Sequence, residues 1–308
     1  MKSLRLSVLS LLLLLCSSAV SAQTSFMVMS IKGRVTYRDN GKGPWKQLRV
    51  GATLDAKDVV KTSFASYAKL MMDQARLVSI DENTRKKLGE FEALKGRSGG
   101  EATAGSILQY AASQMQRSRE EREEPVYGAV RGDLQLFTAV FPKYTIMSTD
   151  PLFEWVDAED ADEYEFILLD DAFNTILRTT LQADQFRYVS DSLTPLDPDR
   201  QYHWRITRLS DYAESDVQSF RILPADTVES IRAEVERLNA ELTAMGADEV
   251  TLHLIRGIYF EKRGLLTDAF REYRKTITLA PEVEEYRGMM RNLLFQMKLY
   301  AEEEYLLD

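Results

Sequence analysis

The sequence predicts a multidomain chain with an all-β head, a β-sandwich in the middle and an all-α tail. Three observations carry that prediction. Short runs of alternating apolar and polar residues separated by turn signals occupy roughly 25–95. The alternation returns with large aromatic residues from about Tyr144 to Ile222. From Asp226 onward the apolar period lengthens to that of a helix, with Ile231, Val235, Leu238 and Leu242 on one stripe.

The first 22 residues read as a leader. Lys2 and Arg5 make a positive start, Leu6 to Leu15 an apolar run, and Val20-Ser21-Ala22 a small-residue cleavage site. The run is too short to span a bilayer, which takes about 20 apolar residues. Cys16 raises a lipid-anchor reading, but Leu13, Leu14 and Leu15 stand where that processing wants a small residue. Cleavage after Ala22 removes the only cysteine and with it disulfide, thiol and cysteine-metal chemistry. The expected compartment is a periplasm, with secretion as the alternative, and no transmembrane segment is expected in the mature chain.

Charge is unevenly spread. Residues 23–98 carry a net +7, residues 99–138 −2, residues 139–224 −10 and residues 225–308 −6. A basic head on an acidic body implies an anionic partner for the head, such as an anionic envelope polymer, or attraction between domains, or simply two solvated surfaces.

In the head, 23–98, the runs Phe26 to Ile31, Val35 to Tyr37, Asp58 to Thr62, Ser66 to Met72 and Arg76 to Ile80 read as strands, with a turn at Asp39-Asn40-Gly41. Trp45 reads as a packed core ring rather than an exposed platform. Gly33, Val35, Trp45, Leu48, Gly51, Leu54, Asp58, Val60, Thr62, Ala68, Leu70, Val78, Ile80 and Leu88 fall in an order that resembles the FecR domain. That family is a small β-rich periplasmic module of bacterial signalling systems. Val130-Arg131-Gly132 resembles an element found downstream of it. Signalling members also carry a cytoplasmic segment and a spanning helix, whereas this chain has a cleavable leader. The resemblance therefore implies a sensing or binding module rather than relay across a membrane.

Residues 99–138 read as a linker with a helix. A flexible Gly/Ser/Ala joint at 96–105 precedes a helix with Leu108, Ala111 and Met115 on one side, stopped at Pro125. Gly100 to Gly105 has the outer spacing of a phosphate loop, but Ser106-Ile107 stands where Lys-Ser/Thr is required. Arg131-Gly132-Asp133 spells an adhesion tripeptide of little weight. In 139–224, Phe153 and Trp155, Tyr164, Phe166 and Leu168, Tyr202, Trp204 and Ile206, and Phe220 and Ile222 each lie on one face of a strand. Pro151, Phe153 and Trp155, with Leu196, Tyr202 and Trp204, resemble a fibronectin type III or immunoglobulin-like domain. The acidic run Asp157, Glu159, Asp160, Asp162 and Glu163 lacks the central glycine of a helix–loop–helix calcium loop and reads as an exposed loop.

The tail, 225–308, opens with Asp226 and Glu229 at capping-box spacing. Gly257, Phe260, Gly264, Ala269, Tyr273 and Pro281 then resemble a tetratricopeptide repeat, a helical hairpin that stacks on its neighbours. A weaker copy spans 283–307, with Leu294 in the place of Phe260 and Lys298 in that of the turn glycine. One such unit is expected to lean on the sandwich or a partner, since roughly three are needed for independent stability. The family's geometry implies a partner-binding groove at Thr251, Leu254, Ile258, Glu261 and Lys262. Leu254 and Ile258 favour apolar contact, with a ligand or with Leu238 and its neighbours.

Enzymatic chemistry is not expected. With no mature cysteine and only His203 and His253, the chain has few nucleophiles or metal ligands. His203 is expected on the surface, facing away from Tyr202 and Trp204, and His253 at a packing position. No catalytic residue, cofactor or metal is assigned, and no nucleic-acid partner. The expected function is a binding or adaptor protein of the cell envelope with protein partners. The alternatives are a periplasmic sensor passing a signal to a membrane partner and an envelope polysaccharide hydrolase acting through paired carboxylates.

Overall fold

A computed structural model of the chain describes residues 24–73, 76–94, 102–123, 137–190, 194–299, 302 and 306. The expected leader with Cys16, Pro125, Val130-Arg131-Gly132 and the adhesion tripeptide lie outside the described residues. The architecture is a β-rich N-terminal part followed by a C-terminal helical region.

Eight strands build the head: β1 (Ser25–Lys32), β2 (Val35–Arg38), β3 (Lys46–Gln47), β4 (Thr53–Asp55), β5 (Val59–Thr62), β6 (Tyr67–Met72), β7 (Arg76–Ile80) and β8 (Arg85–Lys87). They form two four-stranded antiparallel sheets, β4-β1-β6-β7 and β3-β2-β5-β8. Phe26, Val28, Leu70 and Val78 of the first sheet meet Val35 and Val60 of the second in the head's own core. The turn read at Asp39-Asn40-Gly41 is present, with Asn40 at φ 50° and Gly41 at φ 69°. Strand β1 departs from simple alternation because both its faces are covered. Met27 and Met29, on the side opposite Phe26 and Val28, enter a second and larger cluster with Met71 and Leu77. A strand buried on both sides has no polar face to keep.

That larger cluster is centred on five helices: α1 (Ala102–Glu123), α2 (Ala225–Ala244), α3 (Glu249–Lys262), α4 (Leu266–Leu279) and α5 (Glu284–Gln296). Helix α1 begins inside the stretch read as a flexible joint. Its Leu108, Ala111 and Met115 are fully buried, and the helix lies against α2, α3 and α5. Residues 3 and 4 apart share a helix face, so Ile107, Leu108, Ala111, Ala112 and Met115 form one apolar side. From Ile107 to Met115 this helix is therefore packed structure.

The middle part has strands β9 (Phe137–Phe141), β10 (Tyr144–Ile146), β11 (Leu152–Asp157), β12 (Tyr164–Leu169), β13 (Thr175–Leu181), β14 (Gln185–Arg187), β15 (Gln201–Arg208) and β16 (Gln218–Ile222). They form a five-stranded sheet, β10-β16-β15-β12-β13, and a three-stranded sheet, β14-β11-β9. All pairs are antiparallel except β10 with β16. Phe153 sits at the centre of the core, its ring 4.7 Å from Phe166, 5.1 Å from Trp204 and 5.8 Å from Phe220, each in edge contact. Such geometries add about 0.5–1.5 kcal/mol per pair beyond area burial.

Helices α3 and α4 form the hairpin. Gly264 makes the turn at φ 75°, a left-handed conformation costly for side chains with a Cβ. Lys298, at the corresponding place after α5, takes the same region at φ 58°. Asp248 caps α3, its carboxylate accepting the Thr251 N–H at 2.9 Å. The expected cap at Asp226 is not made. The cap position falls two residues earlier, at Pro224, and Asp226 instead accepts the N–H of Thr227.

The hairpin leans on both β-rich parts. Phe141 and Phe270 rings pack at 4.4 Å, and Thr267 donates to the Lys143 carbonyl at 2.9 Å. On the other side, Tyr286 donates to the Met29 carbonyl at 2.9 Å, and Ser30 donates to Asp248 at 3.0 Å.

Candidate interaction surfaces

The residues expected to form the repeat groove divide in two. Thr251, Leu254 and Ile258 are 0 % exposed and lie inside the protein. Leu254 and Ile258 share the large cluster with Leu238 and with Leu108 and Met115 of α1, and the Thr251 hydroxyl lies 3.4 Å from that of Ser30. Glu261 and Lys262, at the end of α3, reach the surface. Glu261 accepts from Tyr273 at 2.6 Å and from Gln296 at 2.8 Å, and the Lys262 ammonium stands 5.6 Å from the Tyr110 ring. The apolar half of the expected groove is thus occupied by the chain's own α1 and β1.

Both histidines are tied down. His203 does face away from Tyr202 and Trp204, but it is not on the surface. Phe173 stacks on it at 4.2 Å and Ser219 lies at hydrogen-bond distance, 2.8 Å, from Nδ1. His253 is half-buried and meets Glu272 across the hairpin at 2.7 Å, where Arg256 donates to the same carboxylate at 2.8 Å. Burial raises the Glu272 carboxyl, but the bonds from His253 and Arg256 outweigh it and hold the group below the ordinary value.

The acidic run of the middle part is only partly an exposed loop. The Asp157 side chain is buried, accepts from Tyr164 at 2.9 Å and pairs with Arg208 at 2.8 Å; Arg208 also reaches Glu159 and Asp211. Asp160, Asp162 and Glu163 stay at the rim of an open concavity with Asp184. Among the described residues no group of three or more His, Cys, Asp or Glu is placed to hold a metal ion.

Where α4 meets the middle part, Glu154, Asp268 and Arg271 each keep a buried polar atom without a partner. Burial lifts the Asp268 carboxyl to about 6, only partly opposed by Arg271. The same burial lowers Arg271. Arg274 closes the cluster by pairing with Glu154 at 2.9 Å.

The cations of the second sheet stand apart from all of this. The first sheet joins the helices through methionines, Val50, Leu77 and hydrogen bonds, one of them from Ser30 to the Asp248 carboxylate. The second sheet turns its outer face away. Register places Thr36, Lys61 and Arg85 side by side on β2, β5 and β8, and Arg38, two residues from Thr36, on the same face. Trp45 lies among them, with the Arg38 guanidinium 4.3 Å, Arg85 5.6 Å and Lys61 5.8 Å from its ring. Trp45 is therefore half-buried on a surface, not in the core as expected. A period-2 strand reading could not tell which face of so short a sheet would be covered.

The fold and these surfaces define a β-rich part joined to a helical region through one apolar core, with a cationic sheet face exposed at one end. No protein-family model matches the chain, and no curated protein matches it.

Proposed function

We propose that this chain is an exported, non-enzymatic binding protein of the cell envelope. In this reading the leader is cleaved after Ala22, the protein works in the periplasm, and its FecR-like head and tetratricopeptide-like tail hold protein or polymer partners in fixed geometry. One observation carries it. A single apolar cluster runs from Met29 of the head through Leu108 of α1 and Leu254 of the hairpin to Phe141 of the sandwich. Parts fused in this way act as a scaffold presenting outer surfaces. The strand order of the middle part supports a fibronectin- or immunoglobulin-like reading. So does Tyr202, whose hydroxyl accepts the Asp197 N–H at 2.7 Å and donates to the Asp197 carbonyl at 3.3 Å, a tyrosine-corner contact.

The test is fractionation of the source cell with N-terminal sequencing, followed by cross-linking in the intact envelope. The expected result is a chain beginning at Gln23, in the periplasmic fraction, linked to envelope components. A cytosolic chain with its leader intact would sink the proposal.

A further inference from the structure

We propose that the outer face of the β3-β2-β5-β8 sheet binds an acidic polysaccharide, through Arg38, Lys61 and Arg85 grouped around Trp45. The inference deepens the envelope-binding reading and rests on it for the source of the polymer. The site itself stands on geometry. Arg38, Lys61 and Arg85 come from three adjacent strands, spaced about 4.8 Å apart in a sheet. None of the three has a carboxylate within ion-pair distance among the described residues. The nearby acids are engaged elsewhere. Asp39 pairs with Lys46, Asp58 accepts the backbone N–H groups of Asn40 and Asp55, and Glu90 pairs with Lys86.

The Arg38 Nε is shielded from water with no acceptor beside it. A cation held against an aromatic face loses conformational freedom before a ligand arrives, so less is lost on binding. Planar guanidinium groups then offer paired N–H donors that match carboxylate oxygens. A sheet face suits an extended chain laid across strands better than a small molecule needing enclosure. Among the described residues the acidic body supplies no competing anion, because the head is attached through its other sheet.

The sequence has three tryptophans, and Trp155 and Trp204 are 4 % and 0 % exposed, so Trp45 is the one that can report on this face. Titration of the full chain at low salt with polygalacturonate is expected to change tryptophan emission. The change should vanish in Trp45→Phe, whose binding is then followed by calorimetry. Arg38→Gln/Lys61→Gln/Arg85→Gln is expected to weaken binding at least about tenfold and to flatten its salt dependence. Arg178→Gln/Arg200→Gln, on the sandwich, should leave both unchanged. All four positions outside Arg38 are at the surface, and an unchanged unfolding midpoint confirms that each variant is folded.

Neutral dextran binding as tightly as polygalacturonate, or no binding of the latter, overturns the inference. So does tighter binding of single-stranded DNA or of phosphatidylglycerol vesicles. Unchanged polygalacturonate affinity in the triple variant overturns this site while leaving the envelope-binding reading standing. Cytosolic retention with an intact leader overturns that reading, whatever affinity is measured.

Discussion

Gly257 of α3 lies against the ring of Tyr273 on α4 so closely that a methyl group there would overlap Cδ1 and Cε1. The ring is 1 % exposed and its hydroxyl is held by Glu261 at 2.6 Å, so it has nowhere to go. Gly257→Ala is expected to destabilise the protein by about 2 kcal/mol. Overpacking costs roughly 1–3 kcal/mol or more, and the helix-propensity gain of alanine returns at most about 1. Chemical denaturation checks it, and a neutral or stabilising outcome would mean that the helices separate freely.

Phe141 and Phe270 join the middle β-rich part to the hairpin with rings 4.4 Å apart. Each alanine variant should cost about 3–5 kcal/mol, as for buried aromatics in general. A double-mutant cycle should return a coupling of about 0.5–1.5 kcal/mol, since each ring is the other's neighbour. Additive effects would show that the two parts do not share this contact in solution.

Helix α1 makes a sharper case, because it was expected to be a linker. Met115 is fully buried and lies under Gly51 of the head. Met115→Ala is expected to cost about 2–5 kcal/mol, and Leu108→Asp more, by burying an unpaired charge. Limited proteolysis of the Leu108→Asp chain should cut between head and body where the parent resists. Equal resistance of both chains would return α1 to the status of a tether.

Asp268 sets a pH dependence of definite sign. Its folded-state value near 6 lies above that of an unfolded aspartate, about 3.9, so the native state holds the proton more tightly. Stability from this group is full below about pH 4 and declines as pH rises through about 6, by up to roughly 2–3 kcal/mol. Asp268→Asn keeps an acceptor for the chain around Met147 but removes the ionisation. Unfolding measured from pH 4 to 8 should fall less steeply in Asp268→Asn than in the parent. Parallel curves would show that Asp268 ionises without penalty.

Several elements were legible in sequence because their causes are local. The 3.6-residue stripe of Ile231, Leu238 and Leu242, the hairpin around Gly264 and the alternation through Phe153, Tyr202 and Phe220 depend on side chains close along the chain. The misreadings share one origin. Asp226 has the composition of a cap, but the cap position fell two residues earlier, at Pro224. His203 faces outward from its strand, and the ring of Phe173, from the turn between β12 and β13, came to cover it. Trp45 has the character of a core residue, and only the pairing of β2, β5 and β8 revealed the three cations around it.

By itself, the order of residues determined which segments alternate at strand period and which at helical period, and how the charge divides along the chain. Tertiary structure decided what each apolar stripe would meet. An amphipathic stripe records that a face must leave water but not which face receives it, because burial rewards area and not identity. For this reason α1 came to fill the side of α3 that was expected to hold a partner, and Arg38, Lys61 and Arg85 were left on the outer face of the second sheet.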